Sequence, residues 1–117
     1  MNNNENNSLL TFDDLGVSAP LMQAVEELGF EHPMPIQAKV IPVILGHTEE
    51  GEGRDVVGLA QTGTGKTAAF GLPVLQNIDL QKNEPQALVL APTRELCLQI
   101  ASDLQDYSKY LKGIAIL

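Results

Sequence analysis

The sequence predicts an α/β fold in which a parallel β-sheet is flanked by helices, and three observations predict it. Short apolar runs at residues 55–60, 86–91 and 113–117 are separated by two stretches whose apolar residues follow helical spacing. Strands alternating with helices imply a parallel sheet with right-handed crossovers. In the first two runs apolar residues fill consecutive positions instead of alternating, the pattern of a strand covered on both faces. Between the first run and the helix after it lies a glycine-rich turn, Ala60-Gln61-Thr62-Gly63-Thr64-Gly65-Lys66-Thr67.

Taken in order, residues 1–8 are a polar tail, expected to be disordered. Residues 9–54 are expected to form a helical segment. Within it, Leu21, Met22, Val25 and Leu28 share one helix face. Ser18 is placed to cap that helix, Pro20 fits its first turn, and Gly29 is placed to stop it. Pro33 and Pro35 hold the next stretch extended. A second helix is expected over residues 36–45, with Ile36, Val40, Ile41 and Ile44 apolar, and Pro42 should kink or break it. Residues 46–54 are glycine-rich and acidic and read as an exposed loop. Residues 55–117 then form a partial α/β unit. Its first strand leads through the glycine turn into a helix from Lys66 to about Leu75. After the second strand, Thr93 opens a helix carrying Leu96, Ile100, Leu104, Tyr107 and Leu111. The third strand begins at Gly113, and the sequence stops inside it, so a three-stranded sheet would leave an open edge and uncovered apolar surface.

A length of 117 residues suits one small domain, and 44% apolar with 19% charged residues reads as globular and soluble. No apolar run approaches the roughly 20 residues that span a bilayer, and the N-terminal residues lack the pattern of a secretory signal. The expected location is the cytoplasm. Cys97 is the only cysteine, which excludes an internal disulfide; it is expected to be a small buried residue of a helix. A net charge of -8 excludes general coating of nucleic acid. Any such contact must be local, made by backbone amides and a few cations.

The glycine turn carries the sharpest chemistry. The general phosphate-loop pattern is a glycine, four residues, then Gly-Lys-Ser/Thr. Gly65-Lys66-Thr67 match its end, and Ala60 stands where the first glycine would be. Gly63 and Gly65 let backbone N–H groups turn toward a phosphate with no Cβ in the way. The helix starting at Lys66 aims its unpaired N–H groups and positive dipole end at the same place. Lys66 supplies charge for the β- and γ-phosphates, and Thr67 offers a hydroxyl to Mg²⁺. The ligand read from these residues is a nucleoside triphosphate, ATP, with Mg²⁺.

Upstream lies Gly29-Phe30-Glu31-His32-Pro33-Met34-Pro35-Ile36-Gln37. Phe30 can stack on a purine, and a single carboxamide such as Gln37 can satisfy the donor and acceptor on one edge of adenine. The alternatives are a core residue at a helix end for Phe30 and a surface residue at a helix start for Gln37. Downstream, Pro92-Thr93-Arg94-Glu95-Leu96 follow the second strand, at the sheet edge where open α/β sheets place their sites. Thr93 can cap the helix and Glu95 suits its first turn. Arg94 opposes the helix dipole, so either a phosphate ligand or a salt bridge must account for it.

Phe12, then Gly29-Phe30 seventeen residues on, then Pro33-Met34-Pro35-Ile36-Gln37, resembles the Q motif of DEAD-box RNA helicases. Ala60 through Thr67 resembles that family's motif I, which begins with alanine, and Pro92 through Leu96 resembles its motif Ia. The three stand in the family's order and cover residues 12–117, and the overall look is closest to bacterial members. The resemblance implies a RecA-like domain, cut after its third strand, from an ATP-dependent RNA helicase that couples ATP hydrolysis to unwinding of RNA. It implies that Phe30 stacks on adenine, that Gln37 reads its edge, and that His32 belongs to the same nucleotide-binding set. Ala60, Gln61, Thr62, Gly63, Thr64, Gly65, Lys66 and Thr67 would hold the phosphates, with Lys66 and Thr67 acting in catalysis and Thr67 reaching Mg²⁺. Pro92, Thr93, Arg94 and Glu95 would meet RNA along its backbone, with little sequence preference. Two departures stand out: Met34 occupies a position where many members have Thr or Ser, and residues 47–53 look like an acidic insertion.

No Asp-Glu-Ala-Asp run is present, although P-loop ATPases hold Mg²⁺ with an acid of that kind. Two further readings therefore compete with a helicase segment: a nucleotide- or RNA-binding module without chemistry, and a P-loop enzyme of another class such as a small kinase. Gln37 and residues 92–96 speak against the kinase. The 117-residue chain by itself is expected to show ATPase turnover at background, with or without RNA. Turnover above background that vanishes in Lys66→Ala would contradict this.

Overall fold

The computed structural model describes residues 10–46, 55–59 and 65–117. The polar tail at 1–8, the acidic insertion at 47–53 and residues 60–64 of the phosphate loop lie outside the described residues. A short 3₁₀ turn spans Asp13–Leu15. Among the described residues four helices follow: α1 (Ala19–Glu27), α2 (Pro35–Leu45), α3 (Lys66–Gln76) and α4 (Arg94–Tyr107).

Local chemistry accounts for most boundaries. Thr11 and Asp14 exchange hydrogen bonds before the 3₁₀ turn: Thr11 N–H donates to Asp14 Oδ2 at 2.9 Å and Asp14 N–H to Thr11 Oγ1 at 3.2 Å. Ser18 sits at the start of α1 on extended backbone, but its hydroxyl makes no capping bond. Its own N–H donates instead to Gln76 Oε1, 2.9 Å away. The end of α1 is as anticipated. Gly29 takes φ +93, its N–H reaches Glu26 O at 3.0 Å, and Phe30 N–H reaches Val25 O at 2.9 Å. That paired closure of a helix end wants a left-handed glycine. Helix α2 continues through Pro42, so the expected break does not occur. The ring removes one N–H and the helix tolerates the loss.

Helix α3 is the centre of the fold, packed between α2 and α4. Leu72 is wholly buried, with Ala68, Ala69 and Leu75 nearly so. A Cβ on Gly71 would lie 2.7 Å from Leu104 Cδ2, so glycine lets α3 and α4 approach closely. Ile100, Leu104 and Tyr107 of α4 join Phe12, Leu15, Val17, Leu21, Val25 and Ile41 in the same core. Leu96 is 42% exposed and Cys97 is exposed, contrary to expectation. Both sit on the first turn of α4, on the same face as Ile100, Leu104 and Tyr107, but at the end of the helix where the described residues give that face no cover. Leu111 lies beyond the end of α4 yet packs on the core.

The described residues contain no strand. Segments 55–59, 86–91 and 113–117, expected as parallel strands, have no partner ladder among them. A strand exists by virtue of neighbours that satisfy its N–H and C=O groups. The side chains nevertheless alternate. Val89, Ala91, Ile114 and Ile116 turn toward the core, while Leu88 and Leu90 are each 83% exposed. Val57 and Leu59 are likewise exposed. One face is thus covered by helices, and the other has no cover among the described residues. A cavity of about 540 Å³ lies between segments 86–91 and 113–117, α3 and α4, lined in part by Leu75, Val89, Cys97, Leu104 and Ile116. No described helix is long and apolar enough to cross a membrane.

Tyr107 is buried, and burial, with smaller contributions from Asp103 and Asp106, pushes its phenol up to about 12. An unfolded tyrosine ionises near 10. The neutral form is the one the fold favours, so its contribution is intact below about pH 10 and is lost as pH rises toward about 12. Alkaline denaturation followed by circular dichroism should show this loss, and Tyr107→Phe should remove it.

Candidate functional site

The site is organised by the start of α3. Gly65 caps that helix in the left-handed conformation, φ +84, and no side chain caps it. The first N–H groups of this 11-residue helix receive no side-chain cap from Gly65. Lys66, the first helical residue, is exposed, and Thr67, the second, is half-buried.

Gln37 fixes this geometry. It is 1% exposed and stands in the first turn of α2. Its Oε1 accepts from Met34 N–H at 2.8 Å, and its Nε2 donates to Gly65 O at 3.2 Å. The Gly65 carbonyl also accepts from Ala69 N–H at 3.1 Å, closing the first turn of α3. Methionine offers no oxygen at position 34, so only the glutamine half of a reciprocal cap forms. A Cβ on Gly65 would collide with the Gln37 amide and meet Met34 Cγ at 3.3 Å. Gly65 is therefore required both by its φ and by the closeness of Gln37. Segment 55–59 approaches the same helix: a Cβ on Gly58 would lie 3.3 Å from Ile36 Cδ1.

Phe30 is half-buried in an aromatic cluster. Its ring lies 6.3 Å from that of Phe12 at an interplanar angle of 29°, and 6.3 Å from that of Tyr107, edge to face at 63°. His32 is exposed, and its Nδ1 lies 3.0 Å from the carbonyl oxygen of Leu10. At the start of α4, Thr93 Oγ1 accepts from Leu96 N–H at 3.1 Å, the cap its position suggested. Pro92, Thr93, Arg94 and Glu95 are all exposed.

The structure thus brings Met34, Gln37, Gly65 and Lys66 together, while Phe30 packs with Phe12 and Tyr107. Ala60, Gln61, Thr62, Gly63 and Thr64 lie outside the described residues. Sequence reasoning placed Gln37 either on an adenine edge or on a surface; it is neither exposed nor free, because the loop it supports occupies its amide. It also missed Tyr107 as a neighbour of Phe30, and Gln76 as a tie between α3 and the chain before α1. Tyr107 carried only a helical-spacing signal, and Gln76 none.

Comparison with known proteins now gives the class. The fold matches solved DEAD-box helicases: yeast Dbp5 bound to RNA and ADP BeF3, with a TM-score of 0.80 and 35% identity over 87% of this chain and 25% of that one, and a DEAD box protein from Methanococcus jannaschii, with a TM-score of 0.74 and 36% identity over 84% and 25%. The expected RecA-like helicase fold holds at that level. Among curated relatives, the ATP-dependent RNA helicase DeaD of Escherichia coli is 53% identical over 92% of this chain and 16% of its own length. The DEAD-box ATP-dependent RNA helicase CshA of Bacillus cereus is 49% identical over 93% and 19%. The DEAD/DEAH box helicase family matches residues 34–117. The chain belongs to this family, and it spans about one sixth of the length of the DeaD relative.

Removing the Gln37 amide leaves Gly65 O and Met34 N–H without it in a buried setting. Gln37→Ala is expected to lower stability by roughly 1–3 kcal/mol, measured by urea denaturation. A loss under about 0.5 kcal/mol, the size of an ordinary surface change, would show that the clamp contributes little.

Proposed function

We propose that this chain is the ATP-binding part of an ATP-dependent RNA helicase, acting in the cytoplasm and coupling ATP hydrolysis to RNA duplex unwinding. The observation that carries this reading is the start of α3: a left-handed glycine, no side-chain cap, an exposed lysine, and a buried glutamine that holds the preceding carbonyl. A polyphosphate fits there because uncapped amides and a positive dipole end meet Lys66. Bound ATP supplies the γ-phosphoryl group whose transfer to water drives the cycle, and Mg²⁺ offsets its charge.

On this reading the residues divide the work. The amides of residues 60–67 cradle the phosphates. Lys66 neutralises charge on the β- and γ-phosphates, and the Thr67 hydroxyl, on the next residue of the same turn, holds Mg²⁺. Phe30 stacks on the base, Gln37 reads its edge when the clamp opens, and His32 lies alongside. Pro92, Thr93, Arg94 and Glu95 meet RNA phosphates at the start of α4, where Arg94 finds no ion-pair partner among the described residues. Support for an RNA partner comes from the names of the relatives and from the RNA bound to Dbp5. Segments 55–59, 86–91 and 113–117 are then neighbouring strands of the parallel sheet, their exposed face covered by further parts of the domain.

The expected result is binding of ADP with Mg²⁺ in preference to GDP, measured by calorimetry. Lys66→Ala should weaken ADP at least about ten-fold, since loss of a charged hydrogen-bond partner to phosphate is worth roughly 1.5–3 kcal/mol. Equal affinity for the two bases, or an unaffected Lys66→Ala, would overturn the reading.

A further inference from the structure

The junction that delivers Phe30 is pinned to the far end of α4 at two places. Gly29 turns the chain at the end of α1, and Phe30 follows with its ring edge-to-face against Tyr107, the last residue of α4. Three residues before Phe30, Glu27 receives a salt bridge from Lys109 at 2.8 Å and a hydrogen bond from the Tyr110 hydroxyl. These two contacts are independent: one is buried and aromatic, the other exposed and ionic. They fix the start and the end of the same four-residue turn to one short stretch, residues 107–110. Phe12 is the second aromatic partner of Phe30.

A ring that must stack on a base is useful only if its plane is held before the base arrives, because freezing it afterwards costs affinity. Phe12, stacked at 29°, can slide in parallel with Phe30; Tyr107, at 63°, is the contact that resists rotation. Aromatic pairs favour such edge-to-face geometry. We propose that Tyr107 is a positioning residue that orients Phe30 for an adenine base, so that the preference for adenine nucleotides depends on a residue that touches no nucleotide. This rests on the reading of Phe30 as the base-stacking residue.

The test compares three probes on the 117-residue chain: ADP, GDP and inorganic tripolyphosphate, each with Mg²⁺. Tyr107→Leu is expected to weaken ADP about five-fold, the scale of one aromatic pair, and to erase its advantage over GDP. Tripolyphosphate, which engages the start of α3 alone, should bind unchanged. Tyr107→Phe, which keeps the ring edge, should bind all three as the parent does. Undiminished ADP preference in Tyr107→Leu overturns the proposal, and so does an equal loss of ADP and tripolyphosphate, which marks a merely structural role. Should Tyr107→Leu fail to fold, the unaltered chain decides: the Tyr107 ring resonances, identified by their loss in Tyr107→Phe, should shift with ADP and not with tripolyphosphate. Resonances that ignore ADP overturn it. An unaltered chain that binds ADP no better than GDP sinks the nucleotide reading itself, a separate and recognisable failure.

Discussion

One buried carboxamide sets the geometry of the site. Gln37 accepts from Met34 and donates to Gly65, so the first turn of α2 and the first turn of α3 become one unit. The chemistry of the side chain is specific. A glutamate would bring a charge into a buried position and could not donate to a carbonyl. An asparagine is one methylene short of the span. A neutral amide supplies a donor and an acceptor without the desolvation cost of an ion. The same contact leaves no room for a Cβ at Gly65, a second requirement for glycine beside its positive φ. Gly65, the residue before α3, is placed by a side chain more than twenty residues earlier in the sequence.

The device recurs. Gln76 donates to Gly16 O at 2.8 Å and accepts from Ser18 N–H at 2.9 Å, tying the end of α3 to the chain before α1. Gln86 makes the same pair of bonds to the backbone of Asp79, at 2.8 and 2.9 Å. A chain with 15 acidic and 7 basic residues cannot rely on ion pairs throughout. Glutamine amides satisfy backbone groups between elements without adding charge to an already acidic protein. The Glu27–Lys109 pair is exposed, where such pairs contribute little by themselves; Lys109 and then Tyr110 hold the Glu27 carboxyl below the usual carboxylate range.

The helices were legible in the sequence because each reports itself locally. Gly29 ends α1, Thr93 starts α4, and the periodic Ile100, Leu104 and Tyr107 mark the face that is buried. The three segments expected as strands were less legible. Consecutive apolar residues at 86–91 indicated cover on both faces, yet Val89 and Ala91 face helices while Leu88 and Leu90 face outward. Strand formation depends on partners that local sequence does not contain. The fate of Cys97 was misjudged for a similar reason: composition says that cysteine is usually buried, but its place on the first turn of α4 decides otherwise. The clamp made by Gln37 was invisible because one of its two partners lies 28 residues away, although the other is only three residues back.

The two helix starts at the proposed site are built differently, and the difference bears on how each would hold phosphate. Helix α3 opens on Gly65 with no side-chain cap, and Lys66 adds positive charge to its amides. Every term there favours an anion. Helix α4 opens on Thr93, whose hydroxyl already takes the Leu96 N–H, and Glu95 places a carboxylate in the first turn. Both features compete with a phosphate for the same dipole end, and only Arg94 acts in its favour. A polyphosphate at α3 would thus be held firmly, whereas an RNA phosphate at the proposed α4 site would be held through a weaker balance. On the proposed function, such an asymmetry would suit a nucleotide held through a reaction and an RNA released afterwards, and its source is a glycine at one helix start and a threonine at the other.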